Sequence, residues 1–215
     1  MRTMADNGMD FQIETDSLLG LSESGKLTPD SPRVLSILSS VLERSVQKNE
    51  KLLKKLKKKD TITIFHGSRA PTMSIGRYID RILKYTCCGT PSLVVSYIYI
   101  ERYLQKIDAY LTSLNVHRLL ITSIMVAAKF TDAGCYNNSF YAKVGGVSTT
   151  EMNRMEIEFL FSLDFRLYVT ADVFRAHRLQ LEKEGLGENQ TDLRAANKTR
   201  TKCLPQIAAY TCRAI

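Results

Sequence analysis

Two segments in the middle of the chain are apolar on nearly every side, and they limit what the chain can fold into. The first, SLVVSYIYIERYLQKI, spans residues 92–107, and the second, LLITSIMVAAKF, spans residues 119–130. A helix without a polar face is stable in water only when neighbours bury it on several sides. No apolar stretch reaches about 18 uncharged residues, so the sequence predicts no membrane span. It predicts two helices at the centre of a packed domain.

Amphipathic segments on both sides of these two can supply the cover. Apolar residues recur at spacings of three and four, which is typical of helices. TITIF, at residues 61–65, has no second strand to pair with and is expected to be an extended connector. The predicted helices are one from Ser31 to near Gln47, one from Ser74, one capped by Thr90, one from Asn115 to Thr131, one over Asn137–Val144 ended by Gly145 and Gly146, one with a Ser148–Glu151 capping box, and a last segment capped by Thr170.

The sequence therefore predicts an all-α fold. Residues 1–29 are polar without periodicity and are expected to be a flexible N-terminal segment. Residues 30–60 are expected to form an N-terminal helix and a basic stretch, residues 61–182 the main helical domain, and residues 183–215 a flexible tail.

Positive charge is concentrated in one place. The net charge is +8, and KNEKLLKKLKKKD, from Lys48 to Asp60, contains seven lysines. Three interpretations stay open: a solvated helix end, a nuclear import signal, and a nucleic-acid contact. The N-terminus lacks the basic-then-apolar order of a signal peptide, and five cysteines are an odd number for a disulfide framework. We expect the protein in the nucleus, the cytoplasm or both.

Motifs of catalysis are missing from the sequence. No phosphate-binding glycine loop and no nucleophile or zinc motif occurs. His66, His117 and His177 are far apart and are expected to be surface or capping residues. Glu156 and Glu158 are two apart on a helix and point in different directions. The sequence predicts neither an enzyme nor a bound metal or cofactor.

One charged residue stands out at the end of the second apolar segment. Lys129 follows MVAA and precedes Phe130. A lysine in the last turn favours the carbonyl end of the helix dipole and can extend to water, so it needs no functional explanation. Glu156 can likewise be an ordinary exposed helix residue.

Three stretches make the sequence recognisable: YIYIERYLQ (97–105), ITSIMVAAKFTD (121–132) and EMNRMEIEFLFSLDFRLYV (151–169). Their order and spacing resemble the second, third and fifth helices of a cyclin box. The resemblance covers residues 32–182. The chain looks like the plant P-type, or U-type, cyclins, which are similar to the fungal cyclin of a phosphate-responsive kinase. The resemblance implies a single cyclin box of five helices with an extra N-terminal helix.

The resemblance also implies a function. Such a chain is the activating subunit of a cyclin-dependent serine/threonine kinase, with which it forms a heterodimer. It acts in cell-cycle, cell-division or nutrient-linked control. Lys129 and Glu156 match the cyclin lysine and glutamate that hydrogen-bond the kinase near its regulatory helix. The apolar residues that would surround this pair are Val126, Phe130, Leu160 and Phe165. Neither a membrane nor nucleic acid is expected as a partner.

The sequence departs from the cyclin pattern in two places, and each departure changes what we expect of the structure there. The chain has no tryptophan, so the aromatic-floored substrate-docking groove of some cyclins is not expected on the first box helix. IERY replaces the usual VDRF, and Glu101 is expected in an internal ion pair whose partner the sequence does not identify. The alternatives are a nucleic-acid-associated transcription factor of the cyclin fold and a helical scaffold without a kinase partner.

Overall fold

Seven helices and no strand make up the part of the chain that the computed structural model describes, residues 31–57, 59–86, 88–131 and 136–185. The all-α prediction is confirmed. The expectations for residues 1–29, and for the tail expected over 183–215 from residue 186 onward, lie outside these ranges, whereas residues 183–185 belong to the last helix. The helices are α1 (Ser31–Leu56), α2 (Ile75–Thr86), α3 (Thr90–Ile107), α4 (Val116–Thr131), α5 (Asn138–Gly145), α6 (Thr149–Ser162) and α7 (Ala171–Gly185).

Helices α3 and α4 form the centre of the fold, as their composition predicts. They pack against each other more extensively than any other pair, and most of their residues are buried. Around them, α1 and α7 lie against α3, and α2 and α5 lie against α4. The fifth box helix, α6, touches both central helices, so a side chain on its outer face has a fixed position relative to the ends of α4.

The connector between α1 and α2 is anchored by one aromatic side chain. Residues 61–65 form no strand, as expected, but they are not extended throughout, because Ile64 and Phe65 lie in a turn closed by the bond from the His66 N–H to the Thr63 carbonyl at 3.0 Å. Phe65 is fully buried, and its ring meets Tyr103 edge-on at 5.1 Å and Phe159 at 6.0 Å between centroids. The rings of Tyr103 and Phe159 stack at 5.2 Å. Edge-to-face and offset-stacked rings are favourable geometries, and here they join the connector to α3 and α6.

Helix α1 is longer than predicted, continuing to Leu56 instead of ending near Gln47. Lysine and leucine are good helix formers, so the basic stretch does not by itself end a helix. Tertiary contacts also hold this end. The buried Asn49 side chain donates to the Leu111 carbonyl at 2.9 Å, and Glu50 accepts from the Ser113 N–H at 2.9 Å.

Local capping signals gave mixed predictions. The Ser148–Glu151 capping box and the end of α5 at Gly145–Gly146 are confirmed, Gly146 having the left-handed φ of 72° that glycine tolerates. The prediction that Thr90 caps α3 is wrong. Gly89 occupies the cap position without a side-chain bond, and Thr90 lies inside the first turn.

Asn115 does precede α4, but its side chain holds the preceding loop. Its carbonyl oxygen accepts from the Thr112 N–H at 2.8 Å, and its amide donates to the Tyr110 carbonyl at 2.7 Å. The loop between α3 and α4 needs these bonds because it lies against the core, where Asn115 and Thr112 are buried.

The prediction that the three histidines are surface or capping residues is wrong. The imidazole of His66 is largely buried against Asp60, and His117 bonds the Met73 carbonyl from a buried position. His177 supplies the partner of Glu101 that the sequence did not identify, with Nε2 and Oε2 3.1 Å apart and both side chains buried. This contact joins α7 to the central helix α3.

We expect His177→Ala to lower the free energy of unfolding by about 3 kcal/mol, because it leaves the Glu101 carboxyl buried without its partner. Urea unfolding followed by circular dichroism measures this. Arg175→Ala is the control, since the Arg175–Asp172 pair on the same helix is exposed and contributes about 0.5 kcal/mol or less. Equal losses in the two variants would mean that the buried contact has no special weight.

Candidate partner-binding surface

Lys129 and Glu156, far apart in sequence, meet at the surface. Lys129 lies in the last turn of α4, and Glu156 lies in the middle of α6. The Lys129 Nζ is 2.6 Å from the Glu156 Oε1, and the two side chains are 31% and 17% exposed. The pair is therefore accessible but partly desolvated, which strengthens a charge-assisted hydrogen bond above that of a fully exposed pair.

Two asparagines complete this charged cluster, and the sequence reasoning missed both. Asn138, the first residue of α5, accepts from the Lys129 Nζ and donates to the Glu156 Oε2 at 2.6 Å and to the Asn153 Oδ1 at 2.8 Å. An amide can accept and donate at once, so it orients both charged groups. The available signal was weak: an Asn-Asn pair at a helix start reads as a cap, and Asn137 is indeed that cap.

Helix packing explains why the cluster forms here. The residues before Lys129, Ala127 and Ala128, are buried, whereas Lys129 and Phe130 are exposed, so α4 emerges from the core in its last turn. The capping box fixes the first turn of α6, and Met152, Met155 and Phe159 fix its buried face. Glu156 is then held at the edge of that face, beside the end of α4.

Of the four apolar residues predicted to surround the pair, three are accessible. Phe130 and Phe165 are exposed, and Leu160 is half-buried against the core. Val126 is only 2% exposed and belongs to the core. The structure therefore does not place Val126 on the surface, because the α4 helix turns it toward its neighbours. It supports the surface from beneath.

Phe165 points outward from a backbone turn of unusual shape. Asp164 and Phe165 have φ angles of 51° and 56°, a region that non-glycine residues adopt only at some cost. The turn is held by the Lys106–Asp164 ion pair and by Arg102, which donates to the Arg166 carbonyl at 3.0 Å. Lys106 also lowers the pKa of Asp164. Strained backbone is found most often at functional sites, so this turn is a candidate contact with a partner.

The structure adds two apolar residues that the sequence reasoning left out, Ile157 and Phe161. Both are exposed, Phe161 by 65%, and its ring lies 5.2 Å edge-on from that of Phe165. Ile157 follows Glu156 on α6, Leu160 lies one turn after Glu156, and Phe130 follows Lys129 on α4, so apolar residues adjoin both members of the charged pair; with Phe161 and Phe165 we call them the apolar border. The signal was present in the sequence, since α6 carries apolar residues on two faces, and only one face can be buried in the domain.

One arrangement elsewhere has the outline of a hydrolytic triad but not its chemistry. The Thr63 hydroxyl lies 3.1 Å from the His66 Nδ1, and the His66 Nε2 lies 3.2 Å from Asp60. The Nδ1 lone pair already accepts from the Thr63 N–H at 3.0 Å, and the threonine hydroxyl accepts from the Phe65 N–H. A general base needs that lone pair free to take the hydroxyl proton. We therefore interpret this group as a structural tie within the connector.

In the described part of the chain, no three histidine, cysteine, aspartate or glutamate side chains gather closely enough to hold a metal ion. Among the helices described, none combines the length and the apolar character needed to cross a bilayer.

Comparison with known proteins identifies cyclins, both by a family model and by individual relatives. The sequence model described as Cyclin matches residues 32–167. Rice Cyclin-P3-1 is 47% identical over 100% of this chain and 98% of its own length. Cyclin-U3-1 and Cyclin-U1-1 of Arabidopsis thaliana are 49% and 51% identical, covering 77% and 72% of this chain and 75% and 74% of their own.

The capping box that positions α6 should make stability depend on pH. The Ser148 N–H and hydroxyl, with Arg118 nearby, hold the pKa of Glu151 below its usual value. The stabilisation by the ionised carboxylate is therefore complete above the ordinary glutamate pKa of about 4.3 and is lost as the pH falls through the lower folded value.

We expect Glu151→Gln to be less stable than wild type by about 0.5 kcal/mol at pH 7, because glutamine keeps the bonds from Ser148 through its single acceptor oxygen but loses the charge at the helix N-terminus and the ion pair with Arg118. The two proteins should converge as the pH falls below 4. Urea unfolding at several pH values measures the difference, with exposed Glu158→Gln on the same helix as the control. A difference that stays constant with pH would contradict a role for the carboxylate charge.

Proposed function

The chain belongs to the cyclin family, and we propose that it is the activating subunit of a cyclin-dependent protein kinase, which it binds through the surface around Lys129 and Glu156. The single observation that carries this proposal is the Lys129–Asn138–Glu156 cluster at the edge of an exposed apolar border. Cyclins are regulatory proteins without catalysis of their own, so the expected contribution is binding.

The cluster suits a partner that offers both backbone carbonyls and N–H groups. The ammonium of Lys129 has three donors, and Glu156 has lone pairs beyond those used within the chain. Because Asn138 fixes both groups before binding, little side-chain freedom is lost when a partner arrives, and preorganisation of this kind favours affinity.

The apolar border would supply desolvated area around these polar bonds. Aromatic side chains at the centre of an interface contribute most of the binding free energy, while partly buried charges set orientation. Phe130, Phe161 and Phe165 are exposed on the free chain, so their burial against a kinase is a gain that the domain itself does not use.

Activation then follows from the physics of kinases. A kinase is active when a lysine of its β-sheet pairs with a glutamate on its mobile regulatory helix. A cyclin that binds the arrangement with this helix turned inward shifts the population toward it, by the difference in affinity for the two states. Two largely buried central helices suit a chain that favours one arrangement. We propose that the complex acts in cell-cycle, cell-division or nutrient-linked control, in the nucleus, the cytoplasm or both.

We expect Lys129→Ala and Glu156→Ala to weaken kinase binding by about 30-fold or more, because each leaves a desolvated group of the interface unpaired. The measurement is capture of cyclin-dependent kinases from a plant extract by the immobilised chain, followed by titration with the kinase identified. Lys55→Ala and Glu43→Ala are matched controls, both being exposed residues of α1, a helix that contributes nothing to the cluster.

Capture by wild type and controls but not by the two variants would support the function and the site together. Equal capture by all five proteins would keep the function and reject the site. If wild type captures no kinase activity, the proposal fails, and binding to nucleic acid that weakens steeply with salt becomes the function to test.

A further inference from the structure

A shallow groove between α2 and α5 is a second surface of the domain, separate from the cluster around Lys129. It encloses about 680 Å³. It was not expected, since the lack of tryptophan argued against an aromatic-floored groove on the first box helix. The structure places a groove there that combines charged walls with two aromatic rings. Its lining residues are Arg77, Asp80, Arg81, Lys84, Tyr85, Phe140, Lys143 and Val144.

The charge of the groove is strongly unbalanced. Arg77, Arg81 and Lys84 project from α2 and Lys143 from α5, whereas Asp80 is the single carboxylate in the lining. All four cations are exposed, and no carboxylate of the described residues forms an ion pair with any of them. Positive groups gathered in a concave site reinforce one another's attraction for anionic groups.

The spacing of these cations fits a peptide better than a small anion. Positions 77, 81 and 84 share one face of α2 and extend over about 10 Å at 1.5 Å per residue. An extended chain covers that distance in about three residues. An acidic segment could therefore place carboxylates beside successive cations, while Lys143 acts from the opposite wall.

The aromatic end of the groove adds a place for an apolar side chain. Tyr85 is exposed, and the half-buried Phe140 stacks on Tyr136 with 4.1 Å between ring centroids. Val144 forms a buried floor nearby. The Lys84 ammonium lies 5.8 Å from the centroid of the Tyr85 ring, so the aromatic and cationic parts are continuous.

We propose that this groove binds an extended acidic peptide of a second protein, with Asp or Glu side chains against Arg77, Arg81, Lys84 and Lys143 and an apolar side chain against Tyr85 and Phe140. The charge complementarity argues for this occupant. That the second protein is a substrate of the bound kinase rests on the proposed function. Peptide binding itself does not, because it can be measured without a kinase.

The test is fluorescence anisotropy of the full chain with a short fluorescein-labelled peptide in which aspartate and glutamate surround one phenylalanine. The groove variant is Arg77→Glu with Arg81→Glu. The matched control is Lys51→Glu with Lys55→Glu, which changes the net charge equally through two exposed residues four apart on α1. We expect the groove variant to bind about tenfold or more weakly, and the control to stay within about twofold of wild type.

Equal weakening of both variants would show that only the total charge attracts the peptide, and this would overturn the proposal. So would a wild-type chain that does not bind. Replacing the phenylalanine with serine should weaken binding to wild type but not to a Tyr85→Ala variant, because the contact is then already lost. Circular dichroism of every variant shows whether the fold is kept.

The alternative occupant is the chain's own N-terminal segment, where residues 1–30 contain six acidic and two basic side chains. Asp10→Asn, Glu14→Gln and Asp16→Asn, combined in the full chain, distinguish the two. If that segment fills the groove, neutralising it raises the affinity for the labelled peptide about tenfold or more, and binding of a second protein is overturned. Unchanged affinity supports an open groove.

Discussion

The packing of α3 against α4 is the constraint on which the rest of the structure depends. Both helices are apolar on nearly every side, so each must be covered from several directions. This requirement explains why five shorter or more polar helices gather around them, and why Phe65 of the connector between α1 and α2 is inserted between α3 and α6. It also explains where charged residues can lie on these two helices. Glu101, inside α3, is paired with His177, while Lys129 appears only where α4 reaches the surface.

What could be predicted from the sequence was what short segments determine by themselves. The capping box of Ser148 and Glu151 is a contact between residues three apart, so four letters suffice to predict it. The end of α1 is different, because it is extended by bonds from Asn49 to a loop some sixty residues away. The prediction that the histidines are surface or capping residues was wrong for the same reason, because their burial depends on residues distant in sequence. His177 is buried because α7 lies on α3, and no local pattern contains that information.

The residues of the candidate site likewise differ in whether the sequence could predict them. Lys129 and Glu156 were predicted because they occupy motif positions in the resemblance to cyclins. The structure brings their side chains together. Asn138 was missed because its importance arises from where α5 begins relative to two other helices. Phe161 was missed for a correctable reason: it lies on a second apolar face of α6 that stays exposed in the described part of the chain, and a count of apolar faces against available neighbours would have identified it.

The short helix α5 is the element that the two surfaces share. Its first residue, Asn138, orders the charged cluster, and Lys143, in its last turn, forms one wall of the basic groove. Both ends are fixed, by the Asn137 cap and by the Tyr78 hydroxyl, which donates to the Gly145 carbonyl at 3.0 Å. A capped helix of eight residues bends little. A peptide in the groove and a kinase on the cluster would therefore be held at a constant separation, which is what a subunit needs if it is to present one protein to another.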